Sequence, residues 1–260
     1  MRKVKPKIFL IGETKIDDVV LQDYLHHVGA PKWKTDAPSD SEKVIEVMGR
    51  MCYRSFAPGL NPNVTKVREG NAAYLQHILE VGHGSVLEHA NFNFIFADVS
   101  RVFTHELVRH RAGTAMSQES LRFVRLDDLG FWLPTVVRED AEVMEIFVRT
   151  VAELEALQKL LAKKYDIDGK MPFSKKKQIT SAMRRIAPSG LATSIGWSAN
   201  GRALRHVIEM RTDPGAEEEI RLVFGKVAEM MVKKCPNLMS GYDIEMVDGL
   251  PWYKTSHKKV

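Results

Sequence analysis

The sequence predicts a single α+β domain, on three observations. Two long stretches repeat apolar residues at helical spacing, and one shorter stretch alternates them at strand spacing. No internal repeat, low-complexity linker or shift in composition divides the 260 residues, so residues 1–260 are read as one domain.

Taken in order, Lys7 to Ile11 reads as a strand, and residues 41–53 and 63–81 as helices punctuated by Asn61-Pro62-Asn63. From Asn91 to Val99, the aromatic residues Phe92, Phe94 and Phe96 fall on one face of a half-buried strand. That strand feeds a helix over residues 102–108, where Phe103 and Leu107 repeat at helical spacing and Gly113 serves as the stop. The polar and apolar mixture from Ser117 to Arg125 reads as a loop entering a strand. A long amphipathic helix follows over residues 139–165, its stripe formed by Val143, Phe147, Val151, Leu154, Leu157 and Leu161. Residues 175–186 form another helix, stopped near Pro188, and Leu191 to Trp197 form a short strand. Asn200 to Arg211 is helical. Asp213-Pro214, as N-cap and first residue, then starts a last helix with Ile220, Val223, Phe224, Val227, Met230 and Met231 facing the core.

The densest chemistry lies in residues 109–122, Arg-His-Arg-Ala-Gly-Thr-Ala-Met-Ser-Gln-Glu-Ser-Leu-Arg. Three guanidinium groups with hydroxyls between them suit an anionic ligand, because the guanidinium fork binds phosphate oxygens in pairs. The competing reading is a solvated basic surface. A net charge of +5 also favours anionic partners, although the basic residues are scattered and the C-terminal lysines read as a solvated tail. A composition 44% hydrophobic and 27% charged describes a soluble globular protein. The basic N-terminus is followed by an apolar run too short for a signal sequence, and no stretch reaches the roughly 20 apolar residues that span a bilayer.

Cys52 and Cys235 lie far apart without ligand spacing, which suggests neither a disulfide nor a zinc site and points to a reducing cytoplasm. Cys52 reads as inert core on an apolar helix. Dinucleotide, P-loop and zincin motifs are absent. Two further polar clusters stand out. His83-Gly84-Ser85-Val86-Leu87-Glu88-His89 reads more simply as site lining or capping than as a metal site. Asn200, Arg202, His206 and Arg211 share one helix without sharing one face, although Arg202 and His206 do lie together.

The three clusters together resemble the flavin-dependent thymidylate synthases. The family signature is Arg-His-Arg, two residues, Ser, one residue, Asn-Glu, one residue, Ser, one residue, Arg. Here Arg109-His110-Arg111 is followed by Ser117-Gln118-Glu119-Ser120-Leu121-Arg122. Thr114 replaces the first serine, Ser117-Gln118 stands where Asn-Glu is usual, and one extra residue separates the halves. The likeness also covers Arg50-Met51-Cys52-Tyr53, His83 to His89, and Asn200 to Arg211 with the helix after it.

The resemblance implies a mostly antiparallel sheet flanked by long helices, and a homotetramer whose active sites are shared between subunits. It assigns Ser85, Glu88, Arg109, His110, Arg111, Gln118, Asn200, Arg202 and His206 to FAD, with His83 near flavin and folate. For dUMP it implies Gln118, Glu119, Ser120, Leu121 and Arg122, with Arg184 as a second phosphate-binding arginine and Arg109 beside the substrate. Arg211 corresponds to the catalytic arginine that polarises the pyrimidine, and Glu106 stands where glutamine is common. The implied reaction transfers a one-carbon unit from methylenetetrahydrofolate to dUMP, with FAD reduced by NADPH and no metal. Two alternatives stay open: a flavoenzyme methylating another uridylate such as UMP, and a basic nucleic-acid-binding module.

Overall fold

A computed structural model describes residues 2–64, 66–121 and 128–257. The chain opens with two strands, β1 (Arg2–Lys3) and β2 (Lys7–Glu13). Helix α1 (Asp18–His27) starts where the Asp17 carboxylate accepts the Val19 and Val20 amides. In α2 (Asp40–Tyr53), the Ser39 hydroxyl does the same for Glu42, and Arg54 closes the helix in a left-handed conformation. Helix α3 (Asn71–Glu80) is shorter than the sequence suggested, starting at Gly70 with φ +81 rather than at residue 63. A 3-10 turn over Gly84–His89 leads into β3 (Asn91–Ser100), on which Phe92, Phe94 and Phe96 are buried as the alternation requires.

The next elements are α4 (Arg101–Leu107), β4 (Thr114–Gln118), β5 (Gly130–Phe131), α5 (Thr135–Arg138), α6 (Ala141–Lys164) and α7 (Phe173–Met183). Strand β6 (Ala192–Asn200), helices α8 (Gly201–Thr212) and α9 (Glu218–Lys234), and the pair β7 (Tyr242–Val247) and β8 (Leu250–Thr255) complete the chain. Four strands share a sheet in the order β2-β3-β6-β4. Strand β1 pairs in parallel with β5, while β7 and β8 are antiparallel.

Several local expectations are corrected. Gly113 does not stop α4, which ends at Leu107; with φ +68 it turns the chain into β4. The strand therefore occupies residues 114–118, where a loop was expected to begin. Asp213 makes a turn, its carboxylate accepting the Gly215 amide, and α9 starts later with Glu217 as cap. Cys52 is exposed rather than core, because the buried face of α2 carries Ile45, Glu46, Gly49 and Arg50.

The described residues cluster into two compact units. The first takes the chain up to Phe9, Ile95–Arg109 and Met116–Gly196. Its core gathers Leu129, Phe131, Leu133, Val137, Val151 and Leu191, with Val143 and Leu154 of α6 packed against them. Phe147 and Leu157, expected on the same stripe, remain 39% and 38% exposed. The second unit takes Leu10–Phe94, His110–Ala115 and the chain from Trp197 onward. Here Trp197 lies between Phe94 and Phe224, with ring centroids at 5.8 and 5.5 Å. Each such fully buried aromatic contributes about 1.5–3 kcal/mol.

Strands β4 and β6 keep one register. The Asn200 amide donates to Gly113 O at 2.9 Å and the Glu119 amide to Ser194 O at 2.9 Å. From 113 to 119 and from 194 to 200 there are six steps on each strand, so neither bulges between these bonds.

Candidate active site

Each unit carries one of the polar clusters. In the first, the Ser100 hydroxyl accepts the Phe103 amide and starts α4, which puts Arg101 in the first turn. The Arg101 and Val102 amides donate to Leu191 O and Ser189 O, both at 3.0 Å, and so tie this helix start to the segment after α7. On the β4 side, Gln118 Nε2 donates to Thr104 Oγ1 at 3.0 Å. The Glu119 carboxylate accepts the Ser194 amide at 3.1 Å. Helix α7 ends under a cap from buried Gln158, whose Nε2 donates to Met183 O at 3.1 Å, and a 3-10 turn then presents Arg184 and Arg185.

These elements enclose a cavity of about 430 Å³, lined by Arg101, Gln118, Glu119, Ser120, Leu121, Arg184, Arg185, Ala187 and Ser189. Three guanidinium groups face it against one carboxylate already engaged by a backbone amide, so its chemistry favours an anion. Of the residues that the resemblance implied for dUMP, Gln118 to Leu121 and Arg184 line this cavity, whereas Glu106, Arg109 and Arg211 do not. Arg122 lies outside the described residues. Arg101, Arg185 and Ser189 were not foreseen. Arg101 had a signal, since a cation in the first turn opposes the helix dipole and calls for another reason to be there.

In the second unit, Asn200 caps α8 by accepting the Ala203 amide at 2.8 Å. A Cβ on Gly113 would lie 2.5 Å from Asn200 Nδ2, so glycine is required by space as well as by φ. The Thr114 hydroxyl donates to His110 O at 2.7 Å and fixes the turn. His110 then reaches α8: Arg211 Nε donates to its Nε2 at 2.7 Å, and its ring meets that of His206 edge to face at 6.0 Å. His206 and Arg211 do not share a helix face. A residue from outside the helix joins them.

Burial, with the neighbouring Arg211 and His206, lowers the His110 pKa to about 4. At neutral pH its imidazole is therefore uncharged, with the proton on Nδ1 and the Nε2 lone pair turned to Arg211. Arg202 pairs with Glu88 at 2.8 Å, both exposed, and Ser85 stands exposed on the same 3-10 turn. His83 precedes that turn with its ring 5.6 Å from that of Tyr53, and its buried Nδ1 has no hydrogen-bond partner among the described residues. Arg111 is exposed. Arg50 is buried against Glu46 at 2.7 Å and donates to Ser55 O and Arg68 O, which makes it a structural clamp.

Residues 35–237 match the family described as "Thymidylate synthase complementing protein". Flavin-dependent thymidylate synthase from Corynebacterium diphtheriae is 35% identical over 219 residues, covering 83% of this chain and 84% of that protein. The chain belongs to the flavin-dependent thymidylate synthase family. The enzyme of the same name from Corynebacterium glutamicum is 36% identical over 222 residues, 84% of this chain and 86% of its own length. Thymidylate synthase X from Helicobacter pylori, solved with FAD and dUMP, shares the fold with a TM-score of 0.57 at 18% identity. That likeness covers 91% of this chain and all of that one. The span matched by the family model, residues 35–237, includes both polar clusters and ends before the β7–β8 hairpin.

Proposed function

We propose that this chain methylates C5 of dUMP to give dTMP, taking the carbon from methylenetetrahydrofolate and using FAD reduced by NADPH. Family membership supports the reaction, and the three-arginine cavity at Gln118 to Leu121 is the observation that carries the substrate class. A nucleotide monophosphate is a compact dianion, and Arg184 and Arg185 with Arg101 supply paired donors for it. Ser120 adds a hydroxyl. Glu119 serves as a positioning residue, since its carboxylate holds Ser194, while Gln118 is braced by Thr104.

The second cluster fits a flavin dinucleotide. Arg202, Asn200, Ser85, His110 and Arg111 supply cationic and hydrogen-bonding groups suited to a pyrophosphate, and the Nδ1 of His83, without a partner among the described residues, is a further donor or acceptor. Bound flavin supplies the hydride that completes the methyl group. The protein's own work is electrostatic: Arg211 stabilises negative charge developing on the pyrimidine as the C5 proton leaves. Neutral His110 holds that guanidinium in place without competing for the charge. No cysteine nucleophile is invoked, consistent with Cys235 being buried with its thiol pushed up to about 12.

The acting form is a single-domain subunit within a homotetramer that shares active sites. The uncovered apolar residues of α6, with Leu160 61% and Ile146 45% exposed, support a second copy as their cover. The cytoplasm is the proposed location, supported by Cys52 and Cys235 both being free thiols; no described helix is long and apolar enough to cross a membrane. Tritium release from 5-³H-dUMP with NADPH and methylenetetrahydrofolate tests the reaction. Turnover of UMP in place of dUMP would redirect it to the related uridylate, and salt-dependent oligonucleotide binding by flavin-free protein would favour the nucleic-acid module instead.

A further inference from the structure

The β7–β8 hairpin lies beyond residue 237, outside the span matched by the family. Its turn is built by Asp248 at φ 53 and Gly249 at φ +74, with Val247 paired to Leu250, a two-residue connection whose two positive φ values fit the strand twist. Such a turn fixes register without help from the rest of the fold.

The hairpin grips α8 at two places. The Tyr242 hydroxyl donates to Arg205 O at 2.8 Å, and the Arg205 guanidinium lies 4.5 Å from the Tyr242 ring while donating to Leu238 O and Ser240 O. Seven residues further on, the Tyr253 amide donates to Thr212 Oγ1 at 3.0 Å, and that hydroxyl donates in turn to Ile208 O at 2.8 Å. Seven residues are about two helical turns, so both grips act on one face. Arg205 and Thr212 are buried there, whereas Arg202 and His206 are exposed and Arg211 is half-buried. Tyr242 and Tyr253 brace each other edge to face at 5.8 Å. Contact with α9 is equally close: Arg221 donates to Val247 O, and a Cβ on Gly225 would lie 2.9 Å from Pro251.

We propose that this hairpin is a clasp that sets the rotation of α8, with Tyr242 and Thr212 as positioning residues for Arg211. The inference rests on the proposed catalytic role of Arg211. Two fixed points on the buried face decide the helix rotation, and the position after Arg211 is one of them. A hairpin that only covered apolar surface would not need bonds to a helix carbonyl and to the hydroxyl beside the catalytic arginine.

The test is the pair of near-isosteric changes Tyr242→Phe and Thr212→Val, singly and together, in the full-length chain. The double variant is expected to lose at least about tenfold in kcat, with KM for dUMP little changed, at a temperature well below its melting point. In ¹⁵N spectra, His110 should titrate closer to an ordinary histidine as the Arg211 contact loosens. A lowered melting temperature with wild-type kcat and an unchanged His110 titration would reduce the hairpin to a stabilising cover. If wild-type protein turns over no dUMP, the proposed reaction fails on its own, and the His110 titration still decides whether the hairpin sets Arg211.

Discussion

Arg211 and His110 are joined by a hydrogen bond in which the guanidinium Nε–H donates to imidazole Nε2 at 2.7 Å. A cation can donate to this nitrogen only while the imidazole is neutral. Protonation of His110 would replace the bond with repulsion from Arg211 and His206, the charged or titratable groups that lower its pKa alongside burial.

The pH dependence follows from that sign. The folded pKa of about 4 lies below the ordinary value of 6.5, so the unfolded chain binds the proton more readily between those limits. The stability contributed by neutral His110 is complete above pH 6.5 and falls away as pH drops toward 4. Urea unfolding of wild type and His110→Asn across pH 4–7 should show a steeper acid loss in the wild type. Parallel curves would remove His110 as the cause.

Replacing Arg211 by alanine should leave the flavin bound but lower proton exchange at C5 by about 10²–10³-fold, the scale expected for one electrostatic contact at a developing charge. Flavin absorbance and tritium release measure the two effects separately. Full exchange activity in Arg211→Ala would end the catalytic assignment.

Arg184→Ala and Arg185→Ala should each raise KM for dUMP by about tenfold or more with smaller effects on kcat, because charged hydrogen bonds to a non-reacting phosphate contribute about 1.5–3 kcal/mol. Lysine should restore binding only partly, since it lacks the paired fork. Steady-state kinetics with dUMP and with unphosphorylated deoxyuridine would separate phosphate binding from base recognition.

Gly113→Ala should destabilise the fold by about 1–3 kcal/mol, combining an unfavourable φ with a Cβ driven against Asn200. A melting temperature within a degree of wild type would contradict the crowding. Since Asn200 caps α8, flavin retention should fall as well.

On α6, Leu160→Lys should shift the protein toward smaller assemblies in sedimentation velocity while leaving the subunit folded. An unchanged assembly size would move the interface elsewhere.

Much of the fold was legible in the sequence because periodicity reports burial directly. Phe92, Phe94 and Phe96 fill a core, and the Ile220 to Met231 stripe is buried apart from the half-covered Met230. Boundaries were less legible: Asp213-Pro214 has the chemistry of a cap and instead forms a turn, because Glu217 competes for the same helix start. The β7–β8 hairpin was overlooked although Asp248-Gly249 is a strong turn signal. Within the candidate site, Gln118 to Leu121 and Arg184, which line one cavity, were singled out through the family resemblance. The meeting of His110 with His206 and Arg211 was not, since helical periodicity says nothing about a loop that approaches from outside the helix.

The equal count along β4 and β6 makes that ladder a ruler for the chain. Because Gly113 and Glu119 stay opposite Asn200 and Ser194 with equal steps between, adding or removing one residue within 114–118 would turn Gln118 and Glu119 to the other face of the strand.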